Sequence, residues 1–115
     1  MTIIYKLVSA DLWDSALAVG TFYGSPLDLS DGYIHLSASQ QVRETARRHF
    51  RDVPSLLLVE VATDRLGPSL RWEPSRGGDL FPHLYAPLDL SAVVRVRPVP
   101  LGADGVPVIP EDVPS

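Results

Sequence analysis

Arg71-Trp72-Glu73-Pro74-Ser75-Arg76-Gly77-Gly78-Asp79-Leu80-Phe81-Pro82-His83-Leu84-Tyr85 is the stretch around which the chain is organised. It gathers Arg71, Glu73, Arg76, Asp79, His83 and Tyr85 into one short run, with Pro74, Gly77, Gly78 and Pro82 setting the backbone. Those prolines and glycines are turn residues and predict a long connection rather than regular structure. A plain surface loop and an ordered binding loop both fit. Trp72, Leu80, Phe81, Leu84 and Tyr85 supply apolar anchors that a disordered segment lacks. Long ordered connections in compact domains are usually functional, which favours the binding loop.

On the N-terminal side of that stretch, residues 69–72 predict a short strand entered from a turn over residues 64–68. Residues 55–62, with Leu56, Leu57, Leu58, Val59 and Val61, form the most hydrophobic run and predict a central strand with Glu60 at its exposed edge. Ser37-Ala38-Ser39-Gln40 fits a capping box, and Val42, Ala46 and Phe50 then recur at helical spacing until Asp52-Val53-Pro54. Gly32-Tyr33-Ile34-His35-Leu36 reads as a strand whose alternation puts Tyr33 and His35 on one face. Residues 21–31 read as a connection, with turn signals at Gly24, Ser25-Pro26 and Asp31-Gly32. A first helix runs from an N-cap at Ser9 to a stop at Gly20, with Leu12, Trp13, Ala16 and Leu17 on one face and Trp13 in the core. The β-branched and aromatic run over residues 2–8 opens the chain as a strand, its continuous apolarity favouring a central place.

On the C-terminal side, residues 87–90 predict a helical turn or a bend. Residues 92–97 predict a last strand with Val94 and Val96 facing away from Arg95 and Arg97. From Pro98 onward, prolines without helical period mark a tail. The expectation is a single α+β domain over residues 1–98, with a mixed sheet and two helices, followed by a proline-rich tail over residues 99–115.

The 115 residues carry a formal net charge of −4, and 45% are hydrophobic against 21% charged, the balance of an ordinary soluble globule. There is no cysteine, which excludes disulfides, a thiolate nucleophile and zinc–thiolate sites. The acidic balance and scattered arginines argue against broad nucleic-acid binding, while a local basic pocket stays open. No apolar run has the length of a membrane span and no signal-peptide pattern opens the chain, so a cytoplasmic location without membrane association is expected.

Among the three histidines, His49 ends a helix beside Arg47 and Arg48 and suits its negative dipole end. His35 precedes a predicted helix N-terminus, where free amides favour anions. His83 follows Pro82 in the central stretch. Asp79, His83 and His35 are the nearest thing to a metal set, but no HxH, HxxxH or HExxH spacing occurs and no metal is expected. A GxSxG elbow, a Rossmann fingerprint and a P-loop are absent. Arg76 beside Gly77 and Gly78 suits a bidentate contact to phosphate or carboxylate with close backbone approach, and a flexible turn fits the glycines equally. Glu73 or Asp79 suits a general base or a hydroxyl-orienting role; Glu73 also suits a surface pair with Arg71 or Arg76.

Tyr5-Lys6, Gly32-Tyr33-Ile34-His35-Leu36-Ser37 with Gln40, and Trp72 to Tyr85 resemble, in that order, the domain-of-unknown-function family 952. That family is similar in turn to the ADP-ribosyltransferase fold, above all to the RNA 2′-phosphotransferases, through Ile34-His35-Leu36-Ser37 and the helix that follows. The resemblance implies small mixed sheets and two main helices around a cleft, with NAD as substrate. It places Lys6 where the related enzymes carry a first-strand His or Arg, and Glu73 nearest to the transferase glutamate. The expected cleft therefore has His35, Glu73 and His83 as catalytic candidates. Lys6, Ser37, Arg76, Gly77, Gly78, Asp79 and Tyr85 would bind ligand: Lys6 and Arg76 on phosphate, Tyr85 stacked on a ring. A non-catalytic module for a small anionic ligand, and an interaction protein using Trp72, Phe81 and Tyr85, are the alternatives.

Overall fold

A computed structural model describes residues 2–115. It is an α+β fold of small antiparallel sheets with few helices. The central sheet has the order β1-β4-β8, from β1 (Ile3–Ser9), β4 (Leu56–Ala62) and β8 (Val93–Val99). A second sheet has the order β3-β6-β5, from β3 (Ile34–His35), β6 (Leu80–Leu84) and β5 (Leu70–Pro74). A two-stranded pair joins β2 (Thr21–Phe22) to β7 (Leu88–Asp89). The α-helices among the described residues are α1 (Ala10–Val19), α2 (Pro26–Asp31) and α3 (Val42–His49).

β1 lacks alternation because both its faces are covered. Ile4 and Val8 join Trp13, Phe22, Val59, Val61, Leu84 and Leu88 in one core, while Tyr5 and Leu7 join Val42, Ala46, Leu56, Leu58 and Val99 in another beneath α3. Burial on both faces does not make β1 central: it is an edge strand, and β4 holds the middle of the sheet. The outer edge of β1 meets the rest of the fold where Tyr5 and Ser37 exchange backbone hydrogen bonds of 2.8 Å each way. There the two three-stranded sheets are stitched together.

Several local expectations give way to tertiary partners. The stretch from Arg71 to Tyr85 is a β-hairpin, β5 and β6, closed by a short turn over residues 75–79. The capping box at Ser37–Gln40 does not form. The Ser37 hydroxyl pairs with Thr45, the Ala38 amide donates to Gln41, and the helix starts only at Val42, so the N-terminus of α3 does not follow directly on His35. A complete capping box occurs instead at Ser25 and Asp28, where Pro26 opens α2 inside the predicted connection. Glu60 is not exposed; it lies 5% accessible on the central strand, paired with Arg95 and Arg97. Beyond β8 the proline-rich segment packs into the domain: Ile109 and Val113 are buried in the core beneath α3 and Arg43 bonds the carbonyls of Pro110 and Val113. Among the described residues no helix is long and apolar enough to cross a membrane.

Candidate functional site

Cross-strand partners in the second sheet share a face. Pairing of His83 with both Arg71 and His35, and of Glu73 with Phe81, gathers Arg71, Glu73, Phe81, His83 and His35 on one side. Ile34, Leu70 and Leu84 take the other side, against the core. The functional face therefore exists because the alternating apolar residues of three short strands had a core to fill.

β1 and the segment from His35 to Ser37 meet at Tyr5 and border a cleft of about 480 Å³, within the range of small-molecule sites. Its polar lining includes Lys6, His35, Ser37, Thr45, Arg76 and His83. Lys6 is 5% accessible and already engaged: its ammonium lies 2.9 Å from Asp28 Oδ2 and donates to the His35 carbonyl at 2.9 Å. Burial pushes the Lys6 ammonium down, and the Asp28 charge opposes that shift. Asp28, 2% accessible, also accepts from the amides of Ser25 and His35 and lies 2.6 Å from His35 Nδ1. Burial works to raise the Asp28 carboxyl, but the His35 and Lys6 contacts outweigh it and hold it well below the usual carboxylate range. His35 Nε2 meets Asp31 Oδ2 at 2.9 Å, so both ring nitrogens face carboxylates. Lys6, Asp28 and His35 thus form a satisfied cluster that fixes the cleft wall.

His83 is arranged differently. Its Nδ1 lies 2.8 Å from Glu73 Oε1, and Tyr85 donates its hydroxyl to the same oxygen at 2.7 Å. The Tyr85 bond, followed by the His83 bond, holds the Glu73 carboxyl below its ordinary value; the reciprocal bond raises the Tyr85 phenol. An ionised carboxylate only accepts, so Nδ1 carries the proton and Nε2 is left as the basic nitrogen. Among the described residues Nε2 has no hydrogen-bond partner, while the ring borders the cleft. Tyr33 braces this face, its ring centroid 4.1 Å from His83, 4.6 Å from His35 and 5.1 Å from Tyr85.

Arg76 supplies the third element. Its guanidinium lies 4.8 Å over the Phe81 ring and 3.4 Å from the Thr45 hydroxyl, which is 3.1 Å from that of Ser37. Burial, with Arg48 next in weight, shifts it down, yet a guanidinium stays charged in proteins. It makes no ion pair within 4.0 Å of any described residue. The site thus offers a free cation and two hydroxyls at one end, and an oriented imidazole. Among the described residues no set of three metal-ligating side chains converges.

The residues expected from sequence separate into three groups. Lys6, His35, Ser37, Arg76 and His83 line the cleft. Glu73 and Tyr85 stand behind His83, and Tyr85 stacks on Tyr33 and under Arg71 rather than lining the cleft. Gly77 and Asp79 border a different groove, and Gly78 only completes the turn. Trp72, Phe81 and Tyr85 make no common exposed patch, because Phe81 is 7% accessible beneath Arg76. Sequence reasoning missed Asp28, Thr45 and Tyr33 as parts of the site. The capping-box spacing of Ser25 and Asp28 was the legible signal for α2, but nothing local marked Asp28 as the partner of Lys6.

The model of the family described as "Protein of unknown function (DUF952)" matches residues 7–96. The crystal structure of protein CC0527 from Caulobacter crescentus is similar, at 52% identity over 93% of this chain and 94% of that one, with a TM-score of 0.91. Its solution NMR structure is similar at 53% identity over 93% and 92% of the two chains, with a TM-score of 0.83. Among curated proteins no match is found. Over the matched residues, which include every strand and helix from α1 to β6, the chain belongs to this DUF952 family of unknown function.

Proposed function

We propose that the cleft binds a nucleotide of the NAD or ADP-ribose kind and supports a transferase reaction on it, as the resemblance to the ADP-ribosyltransferase fold implies. The observation that carries this reading is Arg76, a half-buried guanidinium with no acidic partner among the described residues, set against the hydroxyls of Thr45 and Ser37. A cation left unpaired in a cleft favours an anionic ligand, and a guanidinium with neighbouring hydroxyls suits phosphate oxygens. Lys6 does not share that task, since its charge is spent on Asp28. His83 is the acid–base group: Nε2 accepts the proton of an acceptor hydroxyl as that oxygen bonds the ribose C1′ of NAD and nicotinamide leaves with the electrons of the broken C1′–N bond, while Glu73 stabilises the imidazolium that results. Ser37 and Thr45 hydrogen-bond the ligand, and His35 with Asp28 keeps the wall in register.

Calorimetric titration with ADP-ribose and NAD tests this. Arg76→Ala should weaken binding at least about tenfold, the loss expected for hydrogen bonds to a charged group. His83→Ala should leave binding near the wild-type level and stop turnover of NAD in the presence of acceptor. The wild-type protein failing to bind either nucleotide would overturn the reading. Binding that Arg76→Ala leaves unchanged would remove Arg76 from it.

A further inference from the structure

A second groove, of about 590 Å³, opens beside the hairpin turn and shares Arg76 with the cleft. Trp72, Gln41, Glu44, Arg48, Arg76 and Asp79 border it. Trp72 alternates with Arg71 and Glu73 along β5, so it projects from the face opposite His83. It remains 43% accessible, whereas Trp13 is 3% accessible in the core. The charges around it are not equivalent. Glu44 is consumed by Arg47 and Arg48, whereas the Asp79 carboxylate has no side-chain partner among the described residues. The groove therefore offers an exposed indole, an unpaired carboxylate and the unpaired guanidinium of Arg76, with Arg48 held on Glu44 beside it.

We infer that this groove is a second ligand site, taking a nucleoside monophosphate unit. The base stacks on Trp72, an N–H or O–H group of the nucleoside donates to Asp79, and the phosphate meets Arg76. Each element answers one feature of the groove: indoles are favourable platforms for any base, a carboxylate accepts from N–H and O–H donors, and arginines take phosphate oxygens. Binding here does not require a nucleotide in the first cleft, but its role as the site of the second substrate rests on the transferase reading above. Arg76 in the turn would then contact both ligands.

The test follows the indole N–H of Trp72 by NMR during titration with AMP, CMP and UMP, and with a short adenosine oligonucleotide. The chain has two tryptophans, and Trp72→Phe assigns the signal. AMP, CMP and UMP should each shift the Trp72 resonance saturably and leave Trp13 unmoved. Asp79→Ala should weaken all three several-fold. Trp72→Ala should weaken AMP binding, read by calorimetry, by about tenfold or more, the loss expected when a base loses its aromatic platform. Ser37→Ala, at a residue that lines only the first cleft and does not touch Arg76, should weaken ADP-ribose there and leave the AMP shift of Trp72 intact. A tighter oligonucleotide than AMP would identify a strand end as the natural source; equal affinity would identify free nucleotide. A Trp72 signal unmoved by every probe at millimolar concentration overturns the inference, as does a shift that Ser37→Ala abolishes, which would locate all binding in the first cleft.

Discussion

Asp28 shows how much one side chain can decide. It neutralises Lys6, anchors the ring and amide of His35 and caps α2, all while 2% accessible. Removing one member of a buried ion pair leaves the other charge uncompensated, so Asp28→Asn should lower stability by about 3–5 kcal/mol in urea unfolding. The same residue sets an acid limb. Its carboxyl is held below the ordinary value, so its stabilisation is fully present above about pH 4, the unfolded-state value, and fades as the pH falls further. Wild-type stability should therefore drop steeply below about pH 4, and Asp28→Asn should show a shallower decline there. The sequence displayed both Lys6 and His35 as candidates, but their partner lies 22 positions from one and 7 from the other. Ion pairing across such separations follows no local period, so the sequence presents Lys6 as a cation for phosphate although its charge is spent on Asp28.

At the scale of elements, the hairpin is the instructive case. Pro74, Gly77, Gly78 and Pro82 read as a loop, yet Leu70–Pro74 and Leu80–Leu84 pair as strands. Pro82 sits in β6, the middle strand of its sheet, where a missing N–H ordinarily argues against a strand. It is tolerated because a strand residue points its N and carbonyl toward the same edge. The Pro82 carbonyl accepts from Leu36, so its nitrogen also faces the end of β3 and costs the ladder with β5 nothing. The glycines do serve the turn: Gly77 has φ 70° and Gly78 φ 85°. A Cβ on Gly77 would meet nothing within 4 Å, so Gly77→Ala isolates the backbone penalty. It should cost about 1–2 kcal/mol in urea unfolding, and Gly77→Asn should cost less because Asn tolerates the left-handed region. The capping box failed for a related reason. Ser37 was claimed by the edge of β1 and by Thr45, partners that the local motif does not contain.

At the scale of the whole molecule, the final segment completes the domain. Ile109 and Val113 fill the core beneath α3, while Asp112 pairs with Arg97 and Arg95 over buried Glu60. Deleting residues 100–115 should cost about 3–6 kcal/mol from those two side chains alone, a large part of a small domain's stability. Urea unfolding of the truncated chain would read this as a much lower midpoint, or as a chain unfolded without denaturant; an unchanged midpoint would show the segment to be dispensable. By itself the sequence determined the α+β class of fold, the strands read over residues 2–8 and 55–62, and the helix closed by Gly20, because these rest on local periodicity and backbone preference. Only the tertiary structure decided that β1 lies at an edge, that Lys6 is consumed while Arg76 is free, and that Glu73 serves His83. Each of those outcomes depends on which charge or backbone group a long-range neighbour satisfies first, and that is settled by packing.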